Sequence, residues 1–237
     1  KKQHSFISPK KFELYMNGNY QPKENQLLLT FDDGYYSNYL VAKEILEKRN
    51  IKAIFFISTG FVGLKEDSKV KTYLNKNLFA NQLPPDSDTN KMIPMSWDHV
   101  HELIRLGHTI GAHTKNHLPL SSISNDEQLN KEIIKAGEEI EKRFKISIEH
   151  FAFPFGNMKS INLKAMKVII KKYKYVHSGV RGENKPNTNT WAIRREAINI
   201  LDNFHYNNFI ANGGLSFYYY KDRKKLDRMV LEMKIDN

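Results

Sequence analysis

Two adjacent carboxylates, Asp32 and Asp33, close the apolar run Leu27-Leu28-Leu29-Thr30-Phe31 and are followed by Gly34. Ionised groups crowded at the mouth of an apolar strand repel each other and resist burial, so a cation should compensate them, and a bound metal would do so. Gly34 lets the backbone turn, so both side chains can reach one pocket at the strand's carboxyl end. The same residues also fit a plain polar turn. Further along, Gly111-Ala112-His113-Thr114-Lys115-Asn116-His117 carries two histidines four apart, a spacing that places both on one face of a helical turn. Joined by one of the aspartates, they make a two-histidine, one-carboxylate set with open coordination positions, as hydrolytic metal sites need. A third stretch, residues 151–157, reads as an aromatic strand stopped by Pro154 and Gly156, freeing the backbone after it to face a ligand.

These motifs need elements to carry them. A polar, helical lead-in over 5–19 precedes a first strand over 27–31, and Leu40, Val41, Ile45 and Leu46 give the stripe of a helix over 36–49. Residues 52–57 are a near-continuous apolar run, the signature of a strand buried on both faces of a parallel sheet. Residues 60–94, polar and broken by Pro84 and Pro85, read as an excursion able to wall a site. Ser96 caps a helix that Gly107 ends, and residues 108–112 form the strand delivering the histidines. Asn125 caps a long amphipathic helix to Phe144, followed by a strand over 148–153, a helix over 160–172 and a strand over 173–177. Such alternation implies a parallel sheet, either open or closed into a barrel.

At 237 residues, with 40% hydrophobic and 12% aromatic content, the chain can bury a full core in one domain. No apolar run approaches the ~20 residues of a membrane span. Without cysteine, any metal must be held by His, Asp or Glu. The opening Lys1-Lys2-Gln3-His4 lacks both an initiating Met and a signal-peptide core. An export signal removed from the chain is therefore expected, with the cell envelope, periplasm or exterior favoured as location and the cytoplasm left open. A net charge of +11 suits anionic surroundings such as cell-surface polymers. The lysines are scattered as solvated helix faces, and no motif supports specific nucleic-acid binding.

Residues 30–34, 113–117 and 153–156 together resemble, in order and approximate spacing, the first three motifs of the polysaccharide deacetylases, the NodB-homology group or carbohydrate esterase family 4. The resemblance implies an α/β fold, a single-domain distorted or incomplete (β/α) barrel of the NodB-homology type. It would span residues 26–215, after a lead-in over 1–25 and before a basic C-terminal segment over 216–237. It implies a metal-dependent hydrolase removing N-acetyl groups from an amino-sugar polysaccharide or oligosaccharide, such as a poly-N-acetylglucosamine-like, chitin-like or peptidoglycan glycan. Asp33, His113 and His117 would hold the metal, most often Zn2+, with Co2+, Ni2+, Mn2+ or Fe2+ also accepted by such donors. Asp32 would be the general base, and the backbone N–H of Phe155 would face the oxyanion.

The family's usual third motif has an arginine where this chain has Ala152. The Phe-Ala-Phe-Pro-Phe-Gly form resembles a subgroup whose arginine comes later, which nominates Arg195, or Arg194 beside it. Tyr35, Pro154, Phe155 and Trp191 are expected to line the substrate. The late general-acid motif is not evident, and His205 and His177 are the candidates. Two other readings stay open: hydrolysis of a non-sugar imide or formamide C–N bond, and glycan binding with weak catalysis, which the missing arginine and acid would suit.

Overall fold

The computed structural model describes residues 4–186 and 188–235. Lys1, Lys2 and Gln3 of the expected lead-in, Asn187, and Asp236 and Asn237 of the basic tail lie outside the described residues. In chain order the elements are β1 (Ser5–Phe6), α1 (Pro9–Met16), β2 (Gln26–Leu27), β3 (Thr30–Phe31), α2 (Tyr36–Val41), β4 (Ile54–Ile57), α3 (Asp67–Tyr73), α4 (Trp97–Arg105), β5 (Thr109–Ala112), α5 (Asp126–Phe144), β6 (His150–Ala152), α6 (Leu163–Ile169), β7 (Tyr175–His177), α7 (Phe204–Ala211) and α8 (Tyr220–Ile235).

Strands β3 to β7 hydrogen-bond in sequential order, every pair parallel. Parallel neighbours cannot be joined by a tight hairpin, so each step is a crossover, and helices supply it. The sheet curls into a half-barrel with β3 and β7 at its ends. This is the distorted (β/α) barrel expected above.

β4 explains why both faces must be covered. Phe55 and Ile57 join the principal core beneath the helices, whereas Ile54 and Phe56 turn inward to meet Ala152 and Leu28. All four β4 residues are buried, which is why the run reads as continuous rather than alternating. The hollow side is filled by α1, whose Phe12 and Met16 pack with Ile7, Tyr175 and Ile193. Ser8 caps α1, and β1 pairs with β2 in parallel, so the lead-in is part of the barrel filling. Beyond β7 the chain returns beside it: His177 bridges Ile193, and Ser178 N–H donates to Ile193 O at 2.8 Å. This return carries Arg195 to the open mouth.

Several expectations hold closely. Asn125 Oδ1 caps α5 from Gln128 N–H at 3.0 Å, and α5 runs to Phe144 as read. Ser96 and His99 form a reciprocal cap on α4. Others need correction. The run over 27–31 is not one strand: its first residue pairs with β1 and its last two with β4, because the chain must cross from one sheet to the other. The excursion over 60–94 carries helical structure that its polar sequence did not show, since α3 and the π-turn after it bury Val70, Tyr73 and Leu74 against Phe61. The residues after 215 do not stand apart either. Leu226, Val230 and Met233 of α8 belong to the principal core, and Lys221, Lys224 and Lys225 face outward.

Gly111 in β5 sits where a methyl group would run into the Phe56 ring inside the barrel. Gly111→Ala is expected to cost about 1–3 kcal/mol, the usual penalty of overpacking, measured as a lower denaturant midpoint at unchanged m-value.

Candidate active site

The carboxyl ends of β3, β5 and β6 converge at the mouth of the half-barrel. Leaving β3, the backbone passes through Asp32 into a left-handed residue, Asp33 (φ 75°), and then Gly34 (φ 98°). Aspartate tolerates that conformation better than most residues, and at Gly34 a Cβ would clash with Val62. The turn aims the two carboxylates at different partners.

Asp33 Oδ1 lies 3.4 Å from His113 Nε2 and 3.3 Å from His117 Nε2. The three donor atoms fall within 4.8 Å of one another. Each imidazole is fixed through its other nitrogen: His113 Nδ1 is 2.7 Å from Ala152 O at the end of β6, and His117 Nδ1 is 3.1 Å from Asn77 O. Donation to those carbonyls leaves both Nε2 lone pairs pointing at Asp33, the tautomer a metal ligand needs. Asp33 Oδ1 is buried and has no aligned hydrogen-bond donor. An orphaned buried acceptor between two imidazoles fits a divalent cation.

The electrostatics agree. Burial depresses His113, yet the Asp33 and Asp32 carboxylates more than offset it and hold the imidazole above its ordinary value. The site draws positive charge. His117 goes the other way, lowered by burial and then by neighbouring His113, and stays neutral.

The loop between the histidines is not the helical turn that the spacing suggests. Residues 113–117 form an irregular strand-end loop in which Thr114 (φ 63°) and His117 (φ 53°) are left-handed. Thr114 Oγ1 accepts from His117 N–H at 2.9 Å. Buried Glu132 of α5 accepts from Asn116 N–H at 2.7 Å and from Asn116 Nδ2 at 2.6 Å. These bonds replace a helix in setting the imidazoles.

Asp32 faces Arg195. The guanidinium grips it bidentately, at 2.6 Å and 2.9 Å, while also donating to Ser178 O at 2.9 Å and Thr30 Oγ1 at 3.2 Å and lying over the Phe56 ring. Arg194 instead pairs with Asp227 of α8, away from Asp32. Burial alone would push Asp32 up, but the charge of Arg195, then His113, then the Arg195 hydrogen bonds outweigh it and hold the carboxyl at about 2.

Phe155 is left-handed (φ 60°), 39% exposed, and stands edge-on to His117 at 4.7 Å between ring centroids. Among the described residues its N–H donates no hydrogen bond. Pro154 beside it is buried. The Tyr35 ring lies against Phe61, and burial, then the Asp33 charge, push its phenol up, keeping it neutral.

Of three further expected residues, Trp191 is half-buried and packs against the principal core. His205 is exposed on α7, its ring stacked edge-on with Phe204 and in no contact with the Asp33 or Asp32 groups. His177 is fully buried inside the barrel, bonded to His150, which reaches Glu13 at 3.1 Å. Asn77, Thr114 and Glu132 carry the histidines yet gave no sequence signal, since a backbone carbonyl and local loop bonds leave no residue pattern.

A parallel half-barrel with an Asp-His-His cluster and an arginine-held carboxylate at its strand ends defines a NodB-homology barrel. The polysaccharide deacetylase family model matches residues 19–173, more than half of the chain, and the chain belongs to that family, whose members are hydrolases. YxkH of Bacillus subtilis (strain 168) is 24% identical over 159 residues, 67% of this chain and 47% of that protein. The chain thus spans about half the length of this curated relative. Among solved structures, IcaB from Ammonifex degensii is similar at TM-score 0.64 and 21% identity, covering 87% of this chain and 80% of that one. The deacetylase PplD of Streptococcus pyogenes, in complex with acetate, gives 0.61 and 21%, covering 81% and 73%. These likenesses establish the fold.

Because the folded value of Asp32 lies below the ordinary 3.8, its pairing with Arg195 adds stability above pH 3.8 that is lost as pH falls through about 2. In Arg195→Met the opposing burial remains, so the carboxyl should titrate above 3.8 and the acid-induced loss begin at higher pH. Carbon-13 NMR of the Asp32 carboxyl across pH 1.5–6 checks this.

Proposed function

We propose that this protein is a divalent-metal-dependent N-deacetylase acting on an N-acetylated amino-sugar polymer or oligosaccharide of the cell surface. The observation that carries the reading is the orphaned Asp33 Oδ1 between the two imidazole Nε2 atoms, next to a second carboxylate committed to Arg195. Asp33, His113 and His117 hold the metal, and zinc is the first choice for such donors.

Magnitudes explain the division of labour. A carboxyl held at about 2 is a poor base toward water of pKa ~15.7. Asp33, His113 and His117 would hold a divalent cation, which would supply the missing acidity by lowering a water's pKa toward ~7 and would polarise the amide carbonyl. Asp32, oriented by Arg195, takes the proton as the water oxygen adds to the acetamide carbon. The unpaired N–H of Phe155 faces the oxygen that gains charge. Asp32, now protonated, returns the proton to the departing amine, and acetate and a free amino sugar leave. No imidazole other than the two ligands is needed for that step. Tyr35 and Phe155 line the sugar's approach, with buried Pro154 next to Phe155 in the chain.

Support for the substrate class comes from the family and from acetate, the expected product, bound to PplD. The +11 charge suits an anionic envelope, and an exported location is part of the proposal. Arg195 on Asp32 removes one motive for the weakly catalytic reading, since the pairing lost at Ala152 is made from another strand.

The test is acetate release from N-acetylglucosamine oligosaccharides with and without a chelator. Asp32→Asn is expected to lower kcat by 10²–10⁴-fold while leaving zinc stoichiometry at one. Asp33→Ala or His113→Ala should abolish zinc uptake in calorimetry together with turnover. His205→Ala and His177→Ala, if folded, should keep near-native kcat. Imide turnover without acetate release, or full activity after complete demetallation, sinks the reading.

A further inference from the structure

Past Arg195 the chain changes character. Residues 198–220 hold a single Asp, Glu, Lys or Arg, namely Asp202, whereas such residues make up 27% of the whole chain. Their apolar side chains are not packed away. Ile200 is 92% exposed, Leu201 87%, Phe217 85%, Tyr218 79% and Phe204 72%. In α7 only Ile210 is buried. Single apolar residues are ordinary on a surface, but this concentration in one segment marks an interaction face.

The segment is nevertheless tied down. Asn203 Oδ1 caps α7 from Tyr206 N–H at 2.8 Å, Asn207 Nδ2 donates to Asn199 O at 2.8 Å, and Arg223 of α8 reaches both Ser216 O and Arg181 O. Polar backbone contacts fix the shape, and the apolar groups project from it.

Cations border the face. Lys221, Lys224, Lys225 and Arg228 are exposed on α8, opposite its buried Leu226 and Val230, and Lys224 Nζ lies 4.7 Å from the centre of the Tyr220 ring. A second copy docking through the same face would bring these like charges together. An anionic lipid surface satisfies both features, taking the apolar groups at the acyl boundary and the lysines at its headgroups. Among the described residues no helix is long and apolar enough to cross a membrane, so the contact is one of lying on the surface.

We propose that residues 198–228 are a docking surface for anionic membranes. Ile198 is three residues after Arg195, which limits it to ~10 Å of chain from the Asp32 clamp. Docking therefore presents the mouth of the half-barrel to polymer lying at the membrane. That last consequence rests on the proposed function, whereas lipid binding itself does not.

Flotation of the full chain with vesicles of phosphatidylcholine, with and without phosphatidylglycerol, tests this. Partitioning should require phosphatidylglycerol and weaken as KCl is raised. It should fall on the order of 10-fold in the combined Ile200→Ser, Leu201→Ser, Phe217→Ser, Tyr218→Ser variant and in the Lys221→Glu, Lys224→Glu, Lys225→Glu variant. Both sets lie outside the catalytic machinery, so an unchanged thermal midpoint certifies folding, and the salt dependence of the unmutated chain serves if a variant misfolds. Absence of binding to anionic vesicles, binding indifferent to salt, or equal binding by a folded serine variant overturns the proposal. A dimer in sedimentation velocity that the serine variant abolishes does so too, assigning the face to a second copy.

Discussion

Two carboxylates on consecutive residues cannot share one compartment without opposite charge, and the mouth of this barrel is built around that demand. The left-handed turn at Asp33 sends the pair in different directions. Asp32 is neutralised by a fixed guanidinium and loses most of its basicity. Asp33 keeps a bare oxygen between two imidazoles, an arrangement that fits a cation. Each half of the solution comes from a different strand end: the imidazoles from β5, the carbonyl that steers His113 from β6, the guanidinium from the return beside β7. The sequential parallel order of the sheet is what brings those ends together.

The Asp-His-His cluster was legible because its residue types and short spacing carry meaning before any fold is known. Its local conformation was not. Residues four apart share a helical face, but a loop with left-handed Thr114 and His117 gives the same proximity, and nothing in His-Thr-Lys-Asn-His separates the two. Arg195 could be nominated but not preferred on physical grounds over Arg194, since its partner lies 163 residues away and only the return strand decides which of the two points inward. Long elements with explicit caps, such as α5 after Asn125, read well. α3 did not, because Val70, Tyr73 and Leu74 are interleaved with lysines and its burial depends on Phe61 from another loop. Trp191, an aromatic that suggests a sugar platform, lies half-buried against the core.

The inward face of the sheet also differs from a plain apolar filling. His150 and His177 hydrogen-bond within it, with Glu13 of α1 closing the row. α1 sits among them, so the short N-terminal elements complete the interior. A half-barrel left open between β3 and β7 needs such a plug, because its concave side would otherwise expose Phe56 and Ile54 to water.

The bond between His117 Nδ1 and the carbonyl of Asn77 joins the ligand cluster to the helical insertion over 60–94. Segments that connect the elements of a rigid scaffold are where recognition is commonly set. Here a peptide group of the insertion orients an imidazole of the cluster. Grafting or trimming the insertion would disturb the set of the His117 ring at the same stroke, so its shape and the geometry of the Asp-His-His cluster are not free to change separately in this chain.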